Sequence, residues 1–121
     1  MNFLDSTVAE LRGFAPFDRA PVRVLRELGP HVDRLRVPAG TVLAHEGRVA
    51  RELVVVLEGD VRGIHEGDDV VTGSTGTQIG AFGLLDRRPH DRTWIAQTDL
   101  DVVVVNGPAF RWLAPSLQLA A

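Results

Sequence analysis

Between Ile79 and Ala96 the sequence runs IGAFGLLDRRPHDRTWIA, and most of the side chains able to do chemistry gather there. Gly80 and Gly83 leave backbone N–H groups unobstructed, and such a run can cradle an anion without help from any particular side chain. Arg87, Arg88, His90 and Arg92 follow. If the chain is extended after Pro89, His90 and Arg92 fall on one side of a strand, and Arg92 can then reach an anion held by the glycines. The plainer alternative puts Arg92 at the surface, paired with Asp91 or Asp86. Arg87-Arg88, with Arg92 nearby, reads as a solvated basic face and not as a nucleic-acid site.

Other chemistry is poorly supplied. The chain has no cysteine, so disulfides and thiolate catalysis are excluded and a zinc site would need histidine and carboxylate alone. His31, His45, His65 and His90 contain no His-x-His pair of the kind a metal site on a β-roll needs, and His45-Glu46 reads as a solvent-facing turn. Ser74, in Gly73-Ser74-Thr75-Gly76, lacks the Gly-x-Ser-x-Gly spacing of a nucleophile elbow. These absences point to a non-catalytic chain. A net charge of −3 gives no general attraction to nucleic acid.

The surrounding elements must form a scaffold for that excursion. The 121 residues suffice for one domain spanning 1–121, and 45% apolar with 24% charged residues fits a globular chain. No apolar run reaches the roughly 18 residues of a membrane span. The start Met1-Asn2-Phe3 lacks a signal-peptide pattern, so the expected location is cytoplasmic.

Helices are expected over about 5–29, the first opened by a Thr7/Glu10 capping box and the second, after Pro21, carrying Val22, Leu25 and Leu28 inward to a stop at Gly29-Pro30. Phe14 and Phe17, flanking Pro16, look like anchors for these helices. From His31 to about residue 105 short strands alternate with turns at Pro38-Ala39-Gly40, His45-Glu46-Gly47, Glu58-Gly59-Asp60 and Glu66 to Asp69. That is the rhythm of a barrel, roll or sandwich. The continuous run from Glu52 to Leu57 suggests a strand buried on both faces, and Leu100 to Val105 is a second strong strand. A last helix over about 108–114 would bury Phe110, Leu113 and Trp112 and stop at Pro115, with Ser116 to Ala121 frayed.

This order resembles the cyclic nucleotide-binding domain family, the sensor module of catabolite activator and Fnr-type regulators. The markers are Pro38-Ala39-Gly40-Thr41, His45-Glu46-Gly47, Val54 to Gly59 and the central stretch. Against the family's Gly-Glu-x-Ala-Leu-Leu, three residues, Pro-Arg and then Ala-Thr-Val, this chain reads Gly80-Ala81-Phe82-Gly83-Leu84-Leu85, Asp86-Arg87-Arg88, Pro89-His90, then Arg92-Thr93-Trp94 without a gap. The resemblance implies a mainly β fold with flanking helices, a jelly-roll-like double-stranded β-roll, and a phosphate-binding cassette.

The resemblance also implies that the family's Glu takes the ribose 2′-hydroxyl and its Arg the cyclic phosphate. Here those positions are Ala81 and His90. Alanine leaves the hydroxyl without an acceptor, costing on the order of 1–3 kcal/mol, and a neutral imidazole has no bidentate fork. Losing both contacts would weaken binding by a few orders of magnitude. The expectation is a regulatory module with weakened or lost cyclic-nucleotide affinity, acting through a protein partner or another small anion. The alternative is a working cAMP or cGMP sensor using Arg92 or His90 for the phosphate.

The candidate contacts are Gly80, Ala81, Phe82, Gly83, Leu84, His90, Arg92 and Thr93, with no metal and no tightly held cofactor. Trp112 is the candidate lid. With the last helix cut short and no helix-turn-helix following it, a monomer or weak dimer without DNA contacts is expected.

Overall fold

The structure is a computed structural model describing residues 6–117, with residues 69 and 70 described by their backbone alone. Two four-stranded antiparallel sheets face each other. The first has the order β1 (Val32–Val37), β8 (Leu100–Asn106), β3 (Glu52–Glu58), β6 (Gln78–Ile79). The second has the order β2 (Val42–Ala44), β7 (Thr93–Ala96), β4 (Val61–His65), β5 (Asp68–Gly73). Helices α1 (Ser6–Leu11), α2 (Val22–Leu28) and α4 (Gly107–Leu113) lie toward the chain ends, and a short α3 (Ala81–Asp86) interrupts the roll between β6 and β7.

The valine runs follow from where β3 and β8 sit. Alternate residues of a strand face opposite sides. Leu53, Val55, Val103 and Val105 pack outward against Val8, Leu11, Phe17, Leu25, Leu28 and Phe110. Val54, Val56 and Val102 point inward against Val61, Ile79 and Ala96 of the roll. The register aligns the sets, with Val55 opposite Val103 and Val56 opposite Val102. Both faces are dry, so no polar residue interrupts the run. Each such side chain contributes about 1.5–3 kcal/mol by leaving water.

The helices are fixed locally. Phe17 is fully buried and meets Phe110 at a ring separation of 6.4 Å. At the start of α4 the Asn106 Oδ1 accepts the Ala109 N–H at 3.0 Å, with a proline in the first turn.

Several expectations need correction. Thr7 lies inside α1, not ahead of it, and Glu10 reaches Arg34 of β1 at 3.3 Å. On α2 the buried stripe is Val24, Leu25 and Leu28, while Val22 at the first position is exposed. Trp112 is 72% exposed, because Phe110 and Leu113 already take the buried side of α4. The chain does not fray at Ser116. It continues as a 3-10 turn, Ala114–Leu117, whose Leu117 is in the core, while residues 118–121 lie outside the described part. The turn expected over Glu66 to Asp69 is tighter, since β5 already begins at Asp68.

Candidate functional site

The excursion is held at both ends by backbone. Gly80, at φ +99°, caps α3, and its carbonyl accepts the Leu84 N–H at 2.9 Å. A Cβ at position 80 would stand 2.6 Å from the Glu52 carbonyl oxygen, so a residue with a side chain meets both strain and collision. Arg87 ends the helix in the left-handed region at φ +57°. The Arg88 N–H then donates to the Gly83 carbonyl at 3.1 Å.

Next the chain is clasped to the β2–β3 turn. Pro89 bridges Val49, the His90 N–H donates to the Arg48 carbonyl, and the Gly47 N–H donates to the His90 carbonyl, both at 2.8 Å. Leu84 anchors α3 in the core while Phe82 is 79% exposed.

A cavity of about 650 Å³ opens beside this clasp, bordered by His45, Arg48, Arg51, Glu52, Val54 and His90 among others. Partial burial holds the His90 imidazole below the ordinary histidine range; Asp91 opposes that shift and His45 adds to it. The ring is therefore neutral at pH 7. A second, smaller pocket of about 330 Å³ near Asp60, Thr98 and Asp99 lies away from the cassette. Among the described residues no three His, Cys, Asp or Glu side chains assemble into a group able to hold a metal.

Arg92 makes the Asp91 pairing of the plainer alternative, though its side chain is only partly exposed. The two bonds from its guanidinium are 3.2 and 3.3 Å long. It also lies over the Trp94 ring, 5.8 Å from the centroid. The register places Trp94 opposite Gly63 and Ala96 opposite Val61, and Val61 and Ala96 belong to the inner core. Gly63 and Trp94 therefore share the inner face. A Cβ on Gly63 would meet the Arg92 Cδ at 2.9 Å and the indole at 3.3 Å. The stem of Arg92 and the Trp94 ring thus fill the inner face of the roll just past the cassette.

The proposed contacts are not all brought together. His90 borders the cavity, and Gly80 stands against it, its virtual Cβ 3.6 Å from the imidazole. Ala81 packs half-buried on the core, Gly83 lies against Ala50 and the Arg88 carbonyl, and Leu84 is structural. Phe82 faces solvent, and the Thr93 hydroxyl accepts the Glu46 N–H at 3.0 Å. Trp112 does not border the cavity.

Glu46 is not a plain solvent-facing residue either. Its carboxylate bonds His65 Nδ1, which also lies 3.0 Å from the Asp91 carbonyl oxygen, so three loops meet at one imidazole. The bond to Glu46 raises the His65 pKa above its ordinary value. Sequence reasoning missed Arg48, Arg51 and Gly63. The two arginines three apart were visible, but nothing in the sequence says that their turn leans on the cassette.

A family model, the cyclic nucleotide-binding domain, matches residues 34–116, well over half of the chain. The chain belongs to the cyclic nucleotide-binding domain family. No curated protein matches it significantly. Among solved structures, the Toxoplasma gondii PKA regulatory domain, crystallised with cAMP, superposes with a TM-score of 0.82 at 17% identity, covering 93% of this chain and 46% of that one. The regulatory subunit of a cAMP-independent protein kinase A from Trypanosoma cruzi, bound to guanosine, gives 0.84 at 18%, covering 93% and 42%. A cyclic nucleotide-binding-like protein from Brucella abortus gives 0.74 at 23%, covering 92% and 99%.

The chain thus spans less than half of the two kinase subunits, and at these identities the likeness to individual structures is one of fold. The β-roll with flanking helices is that of the cyclic nucleotide-binding domain. Among the described residues, no helix is long and apolar enough to cross a membrane.

Proposed function

We propose that this chain is a non-catalytic regulatory module of the cyclic nucleotide-binding fold whose affinity for cyclic nucleotides is weakened or lost. The observation that carries this reading is the Arg92–Trp94 stack on the inner face of the roll across from Gly63. It takes up room beside a cassette whose Ala81 and His90 already lack the acceptor and the fork. The Trypanosoma cruzi relative, described as cAMP-independent and holding guanosine, supports the idea that this fold can serve without the cyclic phosphate. In this reading the module is cytoplasmic, a monomer or weak dimer, and makes no contact with nucleic acid through this chain.

Calorimetric titration with cAMP and cGMP is the test. No saturation is expected in the micromolar range. Micromolar or tighter binding would sink the reading. If Arg92→Ala then abolished that binding, the working-sensor alternative would hold, a phosphate having displaced the exposed Asp91 carboxylate from the guanidinium. Restoring the grip with Ala81→Glu and His90→Arg, together with Arg92→Ala and Trp94→Val to clear the inner face, is expected to create measurable cAMP affinity.

A further inference from the structure

The β2–β3 turn brings cationic groups to the cavity that the cassette itself does not supply. Arg48 and Arg51 border it with one carboxylate, Glu52, so two guanidinium groups less one carboxylate leave a local charge of +1 on a chain whose net charge is −3. Neither arginine has a carboxylate partner among the described residues, whereas Arg34, Arg88 and Arg92 do.

Their backbones are fixed at independent points. The Arg48 carbonyl accepts from His90 of the cassette, and the Arg51 carbonyl accepts from Gly107 at the start of α4, at 3.1 Å. Two side chains that are usually loose on a surface therefore start from rigid positions, which lowers the entropic cost of closing on one ligand. His90 completes the wall as a neutral imidazole, able to donate or accept one hydrogen bond.

We propose that this cavity is a binding site for a phosphomonoester of mononucleotide size, held by Arg48 and Arg51 of the β2–β3 turn and not by the cassette. The proposal rests on the reading that cyclic nucleotides are poorly held here, and it names what takes their place. A cavity of about 650 Å³ lies within the range of roughly 300–1,000 Å³ that small ligands occupy. A terminal phosphate carries about −1.5 to −2 charges at pH 7, against a single charge on a cyclic diester, and presents three acceptor oxygens to two guanidinium forks. Two arginines thus favour the monoester over the cyclic form.

The test titrates 5′-AMP, inorganic phosphate and cAMP into the wild type and into Arg48→Gln, Arg51→Gln and Arg87→Gln, with the His90 imidazole followed by NMR. The expected result is saturable 5′-AMP binding that shifts the His90 resonances. Binding should weaken at least about tenfold in Arg48→Gln and in Arg51→Gln and stay unchanged in Arg87→Gln. Inorganic phosphate should compete weakly and cAMP hardly at all.

Both arginines are exposed, so these variants should fold; the wild-type His90 shifts stand as a readout if one does not. No saturable 5′-AMP binding, or equal weakening in Arg87→Gln, overturns the proposal. Tight cAMP binding that survives Arg48→Gln and Arg51→Gln would instead overturn the functional reading beneath it, so the two failures are distinguishable.

Discussion

The two sheets of this roll are built under different rules. The first, through β3 and β8, has helices on its outer face and the second sheet on its inner face, and four of the seven residues in each of these central strands are buried, contributed to both faces. The second has no comparable run: β7 is half-buried along most of its length, and β4 alternates buried with half-buried residues. One sheet is specified by packing and the other by what sits at its mouth. A protein can therefore exchange residues 90, 92 and 94 while its valine scaffold stays fixed.

The sharpest way to break this comparison is to remove one large side chain from each region. Phe110→Ala, on the helix side of the first sheet, should cost about 3–5 kcal/mol in denaturant unfolding, enough to leave the chain largely unfolded. Trp94→Val, at the mouth of the second sheet, should cost no more than about 2 kcal/mol, because the ring is only half-buried and the flexible Arg92 side chain lies against it. Equal costs would show that the mouth is as much a structural core as the helix interface.

The next effect is at the junction. Gly80→Ala combines a left-handed backbone with a collision at the Glu52 carbonyl and should cost about 2 kcal/mol, read as a lowered Tm. A variant as stable as the wild type would mean that the cassette entry is not held as described.

A smaller effect separates two histidines by pH. The His65 pKa is raised in the fold, so its stabilising contribution is complete below the ordinary value near 6.5 and is lost as pH rises through the folded value. The Tm difference between wild type and His65→Gln should shrink from about pH 6 to about pH 9. The His90 pKa is lowered, so protonation favours unfolding, and His90→Gln should gain on the wild type as pH falls below about 6.5. The same sign for both would refute the placement of one of them. The smallest effect is Arg34→Ala, which removes a bidentate bond to Asp101 at 2.6 and 3.1 Å and should lower Tm only slightly, since the arginine is exposed.

What could be read in the sequence follows the same division. The run from Glu52, the strand from Val61 to His65 and the burial of Phe17, Phe110 and Leu113 were legible because periodicity and turn residues dictate them. The orientations of Val22 and Trp112 were not, since each depends on which neighbours claim the core first. Ala81 and His90 stood out only against the family pattern. The inward course of Arg92 depends on a glycine about thirty positions earlier in the chain, Gly63, and the clasp of His90 to Arg48 joins segments that no local pattern connects.

The hydrogen bond from the Gly107 N–H to the Arg51 carbonyl has a mechanical meaning of its own. A Cβ at position 107 would strike that same carbonyl and the Leu84 side chain, so the end of the β2–β3 turn and the first turn of α4 touch backbone to backbone. A displacement of this turn by an occupant would therefore meet the start of α4 directly, without a side chain to relay it.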